Sequence, residues 1–260
     1  MSLKLFKSPT IAAGSNAKTV KGDDLYQTAI MYLAPHTASG MGNVCPMAIM
    51  AGCSEPCLYK AGRAELFDSI PKARIAKTQR YFRSREKFMA ELVRDLEKFV
   101  AHCGRQGVKP ACRLNGTSDI QWEVAHPCFR GGVRYPSIFA AFPEVQFYDY
   151  TKIYKRVYRK LPDNYTLCLS YSAASAGYRD AVLKAAKETG CSIAVVYRTK
   201  ALRDLIAADV KTDWVRMSLD RVVIDGDETD MRFLDPRGVI VGLYAKGKAG
   251  RADTSGFVVG

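Results

Sequence analysis

The feature that most constrains the fold is a series of short apolar runs separated by amphipathic segments. They occupy residues 28–33 (TAIMYL), 111–114, 145–148 (VQFY), 166–170 (TLCLS), 192–197 (SIAVVY), 222–224 and 239–244. Apolar runs of this length without polar alternation read as buried strands. Between several of them lie helical patterns. Over residues 84–103, Phe88, Leu92, Leu96, Phe99 and Val100 recur at helical spacing, with Ser84 placed to cap the start and Gly104 to end it. Residues 173–190 and 200–208 read as two further helices. Strand and helix in alternation imply right-handed crossovers and a parallel sheet. The strands are too few for a closed eightfold barrel. The expectation is a single α/β domain over residues 1–260, an open or partial (β/α) barrel with about six parallel strands. After Asp220 the turn-rich segments DGDETD and LDPRG predict a C-terminal hairpin region, a β-rich closure over residues 220–260.

Composition narrows the class. With 48% hydrophobic and 25% charged residues the chain is a packed domain and not a disordered one. No apolar stretch approaches the roughly 18 residues that cross a bilayer, and the N-terminus lacks the apolar core of a signal peptide. A cytoplasmic protein without a membrane partner is therefore expected. The formal net charge is +13, which favours nucleic acid as a partner, because a polyphosphate rewards distributed cations through counterion release. Part of that charge gathers between residues 60 and 109, with Lys60, Arg63, Lys72, Arg74, Lys77, Arg80, Arg83 and Arg85.

Eight cysteines in a reducing compartment rarely pair, so a clustered subset points to metal binding or chemistry. Cys45, Cys53 and Cys57 form such a subset, spaced C-x7-C-x3-C in the Gly-rich stretch 34–63 that follows the first strand. Three thiolates on one loop suit a soft metal and leave a coordination position open. Structural zinc would take a fourth ligand from His36, Cys112 or Cys128, whereas an iron–sulfur cluster needs none. The remaining cysteines read as packing residues.

In a parallel sheet, ligands gather beyond the C-terminal strand ends. RLNGTSD places Arg113, Asn115 and Asp119 there, with Gly116 allowing a tight turn. In VQFYDYTK, Asp149 follows a strand between Tyr148 and Tyr150 and reads either as a general base, nucleophile or ribose ligand, or as the cap of a following helix. Tyr150, Tyr154 and Tyr158 would form a helical stripe edged by Lys152, Lys155, Arg156 and Arg159. Asp225, Asp227, Glu228 and Asp230 form an acidic cluster whose spacing misses the EF-hand and suits an exposed turn. Lys246, beyond the last strand, reads as a phosphate ligand or a solvated side chain.

The three-cysteine loop after the first strand of a partial barrel resembles the radical S-adenosylmethionine enzymes, although their commonest spacing is C-x3-C-x2-C. The resemblance implies a 4Fe-4S cluster on Cys45, Cys53 and Cys57, whose remaining iron binds the amino and carboxylate groups of S-adenosylmethionine. It puts Asn115, Gly116 and Ser118 where the family's Gly-Gly-Glu segment meets that cofactor. Residues 16–22 (NAKTVKG), the cysteine loop, 113–123 (RLNGTSDIQWE), 147–152 (FYDYTK) and 225–238 (DGDETDMRFLDPRG) are together similar to a family of phage and prophage proteins with no established activity. That likeness implies a phage setting and a host cytoplasm. The expected function is modification of a nucleic-acid base, most plausibly in phage DNA, with Asp149 and Asp119 catalytic and Arg63, Lys152, Lys155, Arg156 and Arg159 on the nucleic acid. The alternatives are a transglycosylase-like base-exchange enzyme with structural zinc, in which Asp119 or Asp149 is the nucleophile, and a non-catalytic zinc protein that stacks single-stranded bases on its tyrosines.

Overall fold

A computed structural model describes residues 25–60, 62–208 and 214–260. Residues 16–22 lie outside the described residues, as do the side chains of Lys60 and Arg63. The described residues form ten strands: β1 (Tyr26–Ile30), β2 (Lys109–Arg113), β3 (Cys128–Arg130), β4 (Val133–Tyr135), β5 (Gln146–Thr151), β6 (Tyr165–Ser170), β7 (Ile193–Tyr197), β8 (Val223–Asp225), β9 (Ile240–Tyr244) and β10 (Val258–Val259). Seven run in the order β1-β2-β5-β6-β7-β9-β8, all parallel, as a curled half-barrel. The expected partial barrel is thus the observed architecture.

The longer helices are α1 (Ser69–Arg83), α2 (Arg85–Gln106), α3 (Ala176–Thr189) and α4 (Lys200–Ala208). Helix α2 forms where the apolar spacing predicts it, but Gly104 lies inside it and the helix stops at Gly107, whose φ of 68° suits a residue without a Cβ; Ser84 precedes its first residue without a side-chain capping bond. Its Phe88, Leu92, Leu96, Phe99 and Cys103 pack on Cys112 and Phe147 from the outer face of the sheet. Helix α3 buries Tyr178, Val182 and Ala186 against Leu169, Ile193 and Val195 in the same way. Its start is capped by Ser175, whose hydroxyl accepts from Tyr178 N–H at 3.5 Å. Among the described residues no helix is long and apolar enough to cross a membrane.

Three expectations need correction. The C-terminal region contains no hairpin among its described residues: β8 pairs parallel with β9, and β10 pairs parallel with β7. The antiparallel hairpin of the molecule is β3–β4. Strand β6 ends at Ser170 opposite Ala194, and the last residues of β7, Val196 and Tyr197, pair instead with Val258 and Val259. The chain's C-terminal segment thereby completes the sheet at the mouth of the barrel.

The tyrosine stripe is not one helix either. Tyr150 belongs to β5, and a 3-10 helix covers Tyr154–Tyr158.

The acidic segment after β8 is also not simply an exposed turn. Asp230, Met231 and Arg232 are buried, Asp230 meets Arg113 of β2 at 3.0 Å, and Phe233 packs its ring on Tyr26 and Tyr148. Asp225 and Asp227 both bind Arg203 of α4, itself almost fully buried. The segment packs against the inner face of the strands, where Asp230 supplies the counter-charge of Arg113 and Phe233 adds ring contact. Met231 has no exposed surface, so Met231→Ala should lower unfolding free energy in urea by about 2–4 kcal/mol. An unchanged midpoint would return the segment to the surface.

Candidate functional site

A cavity of about 290 Å³ opens at the C-terminal ends of the strands. Its wall takes residues from β2, β5, β6, β7 and β9, from the turn after β2, from the cysteine loop and from the C-terminal segment. Strand alternation supplies the inner face: Arg113, Tyr150, Ser170, Ala194, Val196 and Leu243 line it, while Cys112, Phe147, Asp149, Leu169 and Val195 turn toward the helices.

Cys45, Cys53 and Cys57 all line this cavity, and all are half-buried free thiols. The loop that carries them has little regular structure yet is held at many points. Its start donates Ala34 N–H to Thr78 of α1 at 2.8 Å, and its Val44 carbonyl accepts from Asp119 N–H at 2.8 Å. Ser172, after β6, donates its hydroxyl to Ala51 O at 2.7 Å, and Ser255 donates to Gly52 O at the same distance. Gly52 has φ +61°, and a Cβ there would lie 2.6 Å from the Cβ of Ala174, so glycine is required by both torsion and space. Gly116 plays a matching part across the mouth, where a Cβ would approach Met31 O to 2.7 Å.

The turn after β2 rests on Asp149. Its Oδ1 accepts from Asn115 N–H at 2.8 Å, and its Oδ2 accepts from Asn115 Nδ2 at 3.1 Å and from the Tyr165 hydroxyl at 3.0 Å. The Asn115 side-chain oxygen accepts in turn from Ser118 Oγ, Ile120 N–H and Trp122 Nε1. Asp149 is fully buried on the helix side of the sheet and does not line the cavity. It is neither a helix cap nor placed to touch a substrate; it acts by positioning Asn115. Burial raises its pKa to about 7, against the opposing pull of Arg113, the Asn115 N–H, Arg156 and Tyr165.

Asp119 does line the cavity, but its carboxylate is engaged. It accepts from Thr151 Oγ1 at 2.8 Å, Arg156 Nη1 at 2.9 Å and Lys152 N–H at 2.8 Å. Arg156, expected on nucleic acid, has no exposed surface: it grips Glu123 through two bonds of 2.9 and 2.8 Å and also meets Asp119 and Tyr165. A fork-on-carboxylate pair of this kind is an internal brace. Lys155 and Arg159 are exposed, Arg159 beside Gln121 and Glu123, and Lys152 stands in the cavity wall.

Of the cofactor candidates, Asn115, Gly116 and Ser118 all line the cavity. The Asn115 amide is consumed internally, so this turn offers a ligand mainly its backbone. Sequence reasoning missed Tyr32, Tyr244 and Phe257, which bring three aromatic rings to the same wall. Phe257 carried no signal, since it follows a short polar stretch that has no strand pattern.

Desolvation pushes the Cys45 thiol up to about 12, with Asp119 and the other two cysteines adding to the effect. Burial also raises Cys57, against the pull of Lys152 and Arg74. Cys45 Sγ donates to Thr117 O at 3.8 Å. Among the described residues no group of three His, Cys, Asp or Glu side chains is already gathered as a metal site. In donor type and in placement on one wall the cysteines suit a soft metal group; their spacing is not drawn in around one. Among the described residues His36 forms no metal-ligand group of three with them, and Cys112 and Cys128 are buried core residues of β2 and β3.

The geometry is that of a parallel half-barrel with a thiol-lined cavity at its mouth. The family model described as Gene product 88 matches residues 4–259, and the chain belongs to that family. This agrees with the likeness to phage and prophage proteins. Comparison with curated proteins and with solved structures gives no match.

Asp149→Ala leaves two Asn115 donors and the Tyr165 hydroxyl without an acceptor and should cost about 3–5 kcal/mol of unfolding free energy. The pH dependence has a definite sign. A carboxyl raised from 3.8 to about 7 on folding favours the fold fully below pH 3.8, and that contribution is lost as the pH climbs to about 7. Wild type should therefore lose stability relative to Asp149→Asn across this window. A constant difference between the two would show that Asp149 titrates normally.

Proposed function

We propose that this chain is a radical S-adenosylmethionine-like enzyme that modifies a nucleic-acid base, in phage DNA. The observation that carries the reading is the arrival of Cys45, Cys53 and Cys57, from the loop after β1, in the cavity formed by the C-terminal strand ends of a parallel half-barrel. Those cysteines would hold a 4Fe-4S cluster. The bound group would supply one-electron cleavage of S-adenosylmethionine.

The chain's own residues account for the rest. Asn115, fixed by Asp149, sets the turn whose Gly116 and Ser118 face the cofactor. The short side chains of Ser170 and Ala194 leave the space, and Tyr150, Tyr244 and Phe257 give it ring surfaces. A cavity of about 290 Å³ excludes a duplex, so the target base would be single-stranded or extruded from the helix. The net charge of +13, with Lys155 and Arg159 exposed, supports a polyanionic substrate. The base-exchange alternative gains nothing from the geometry, because both carboxylates it would use as nucleophile are bound up in the scaffold.

Protein purified and reconstituted without oxygen should contain iron and sulfide with visible iron–sulfur absorbance, which Cys45→Ser, Cys53→Ser or Cys57→Ser should abolish. Zinc at one equivalent with no iron uptake would overturn the cluster. Nucleosides from DNA made in cells carrying the gene should include a mass-shifted species that disappears with Cys53→Ser. An unaltered nucleoside profile alongside tight, salt-sensitive DNA binding would establish the binding-protein alternative instead.

A further inference from the structure

The charges around the cavity are almost all matched. Arg113 meets Asp230 at 3.0 Å, Lys246 meets Asp227 at 3.0 Å, and Asp119 meets Arg156 at 2.9 Å. Lys152 is the exception. It lines the cavity half-buried, and among the described residues no carboxylate lies within ion-pair distance of its ammonium group. Asp119, which also lines the cavity, accepts the main-chain N–H of Lys152 at 2.8 Å and gives its other oxygen to Thr151 and Arg156. The backbone of Lys152 is thereby fixed, and its ammonium rests 4.9 Å over the Phe257 ring. A cation that lines a cavity without a carboxylate partner can supply the charge for an anionic group of a ligand. On the neighbouring strand Ser170 also lines the cavity, and its hydroxyl makes no hydrogen bond among the described residues.

We propose that Lys152 is the anion anchor of this cavity, holding a carboxylate or phosphate group of the bound ligand, with Ser170 as a second donor. This rests on the reading of the cavity as the ligand site, and it is independent of which metal the cysteines hold. Lys152 is thus an inward-facing specificity residue and not one of the surface contacts that track a nucleic-acid backbone. The anionic oxygen has two sources under the proposed function: the carboxylate of the cofactor or the phosphate of the substrate nucleotide.

The test is calorimetric binding to the full chain purified without oxygen. The probes are S-adenosyl-L-homocysteine for the carboxylate, thymidine 5'-monophosphate for the phosphate, and adenosine and thymidine as their neutral counterparts. At least one anionic probe should bind more tightly than its neutral counterpart. Lys152→Gln should weaken that probe by roughly 10- to 100-fold, the effect of losing one charge-assisted hydrogen bond. The neutral compounds should bind the variant as they bind wild type, and Lys152→Arg should restore most of the loss. Which anionic probe responds identifies the source. Unchanged affinity in Lys152→Gln, or anionic probes that bind no better than neutral ones, would overturn the assignment. Protein that takes up zinc and no iron yet shows the Lys152 effect would overturn the cluster and keep the anchor.

Discussion

The buried carboxylate of Asp149 is the constraint on which the mouth of the barrel depends. It fixes the Asn115 backbone and amide and the Tyr165 hydroxyl at once. Asn115 in turn gathers Ser118, Ile120 and Trp122, and so shapes the turn that faces the cysteines. Unpaired, a carboxylate in that position would be strongly unfavourable; with three donors it becomes a rigid joint between β2, β5 and β6. Asp119 and Arg156 form the adjoining joint, locking the far end of the same turn to the end of β5 and to Glu123.

These joints explain how a loop of little regular structure presents three thiols to one cavity. The loop is stitched to α1, to the turn after β2, to the residue pair after β6 and to the C-terminal segment. Each stitch is a single hydrogen bond worth about 0.5–1.5 kcal/mol net, so the arrangement is cooperative and not dependent on any one of them. The pairing of β10 with the last residues of β7 matters here as well. It brings Phe257 and Ser255 to the site.

Much of the architecture was legible in the sequence because hydrophobic burial dictates it. The apolar runs and the Phe88–Val100 periodicity gave the parallel strands and helix α2, and the rule that ligands lie beyond strand ends placed the cysteines beside Asn115, Gly116 and Ser118. What was not legible depends on long-range partners. Asp149 and Arg156 look reactive in isolation, because an acid between tyrosines and a base in a cationic run carry no mark of the residues that will satisfy them. Asp230 looked exposed for the same reason, and its burial follows from its pairing with Arg113 on the inner face of the sheet. Parallel pairing of β8 with β9 was hidden by turn residues that suit a hairpin equally well.

The central claim is that the thiols and the strand-end turn form one site for a cluster and its cofactor. Electron paramagnetic resonance of the reconstituted, reduced protein tests it directly, by comparing spectra with and without S-adenosylmethionine. A 4Fe-4S signal that changes when S-adenosylmethionine is added, and that is absent when any one of Cys45, Cys53 and Cys57 is replaced by serine, is the predicted result. A signal indifferent to S-adenosylmethionine, or one that survives loss of those cysteines, would contradict it.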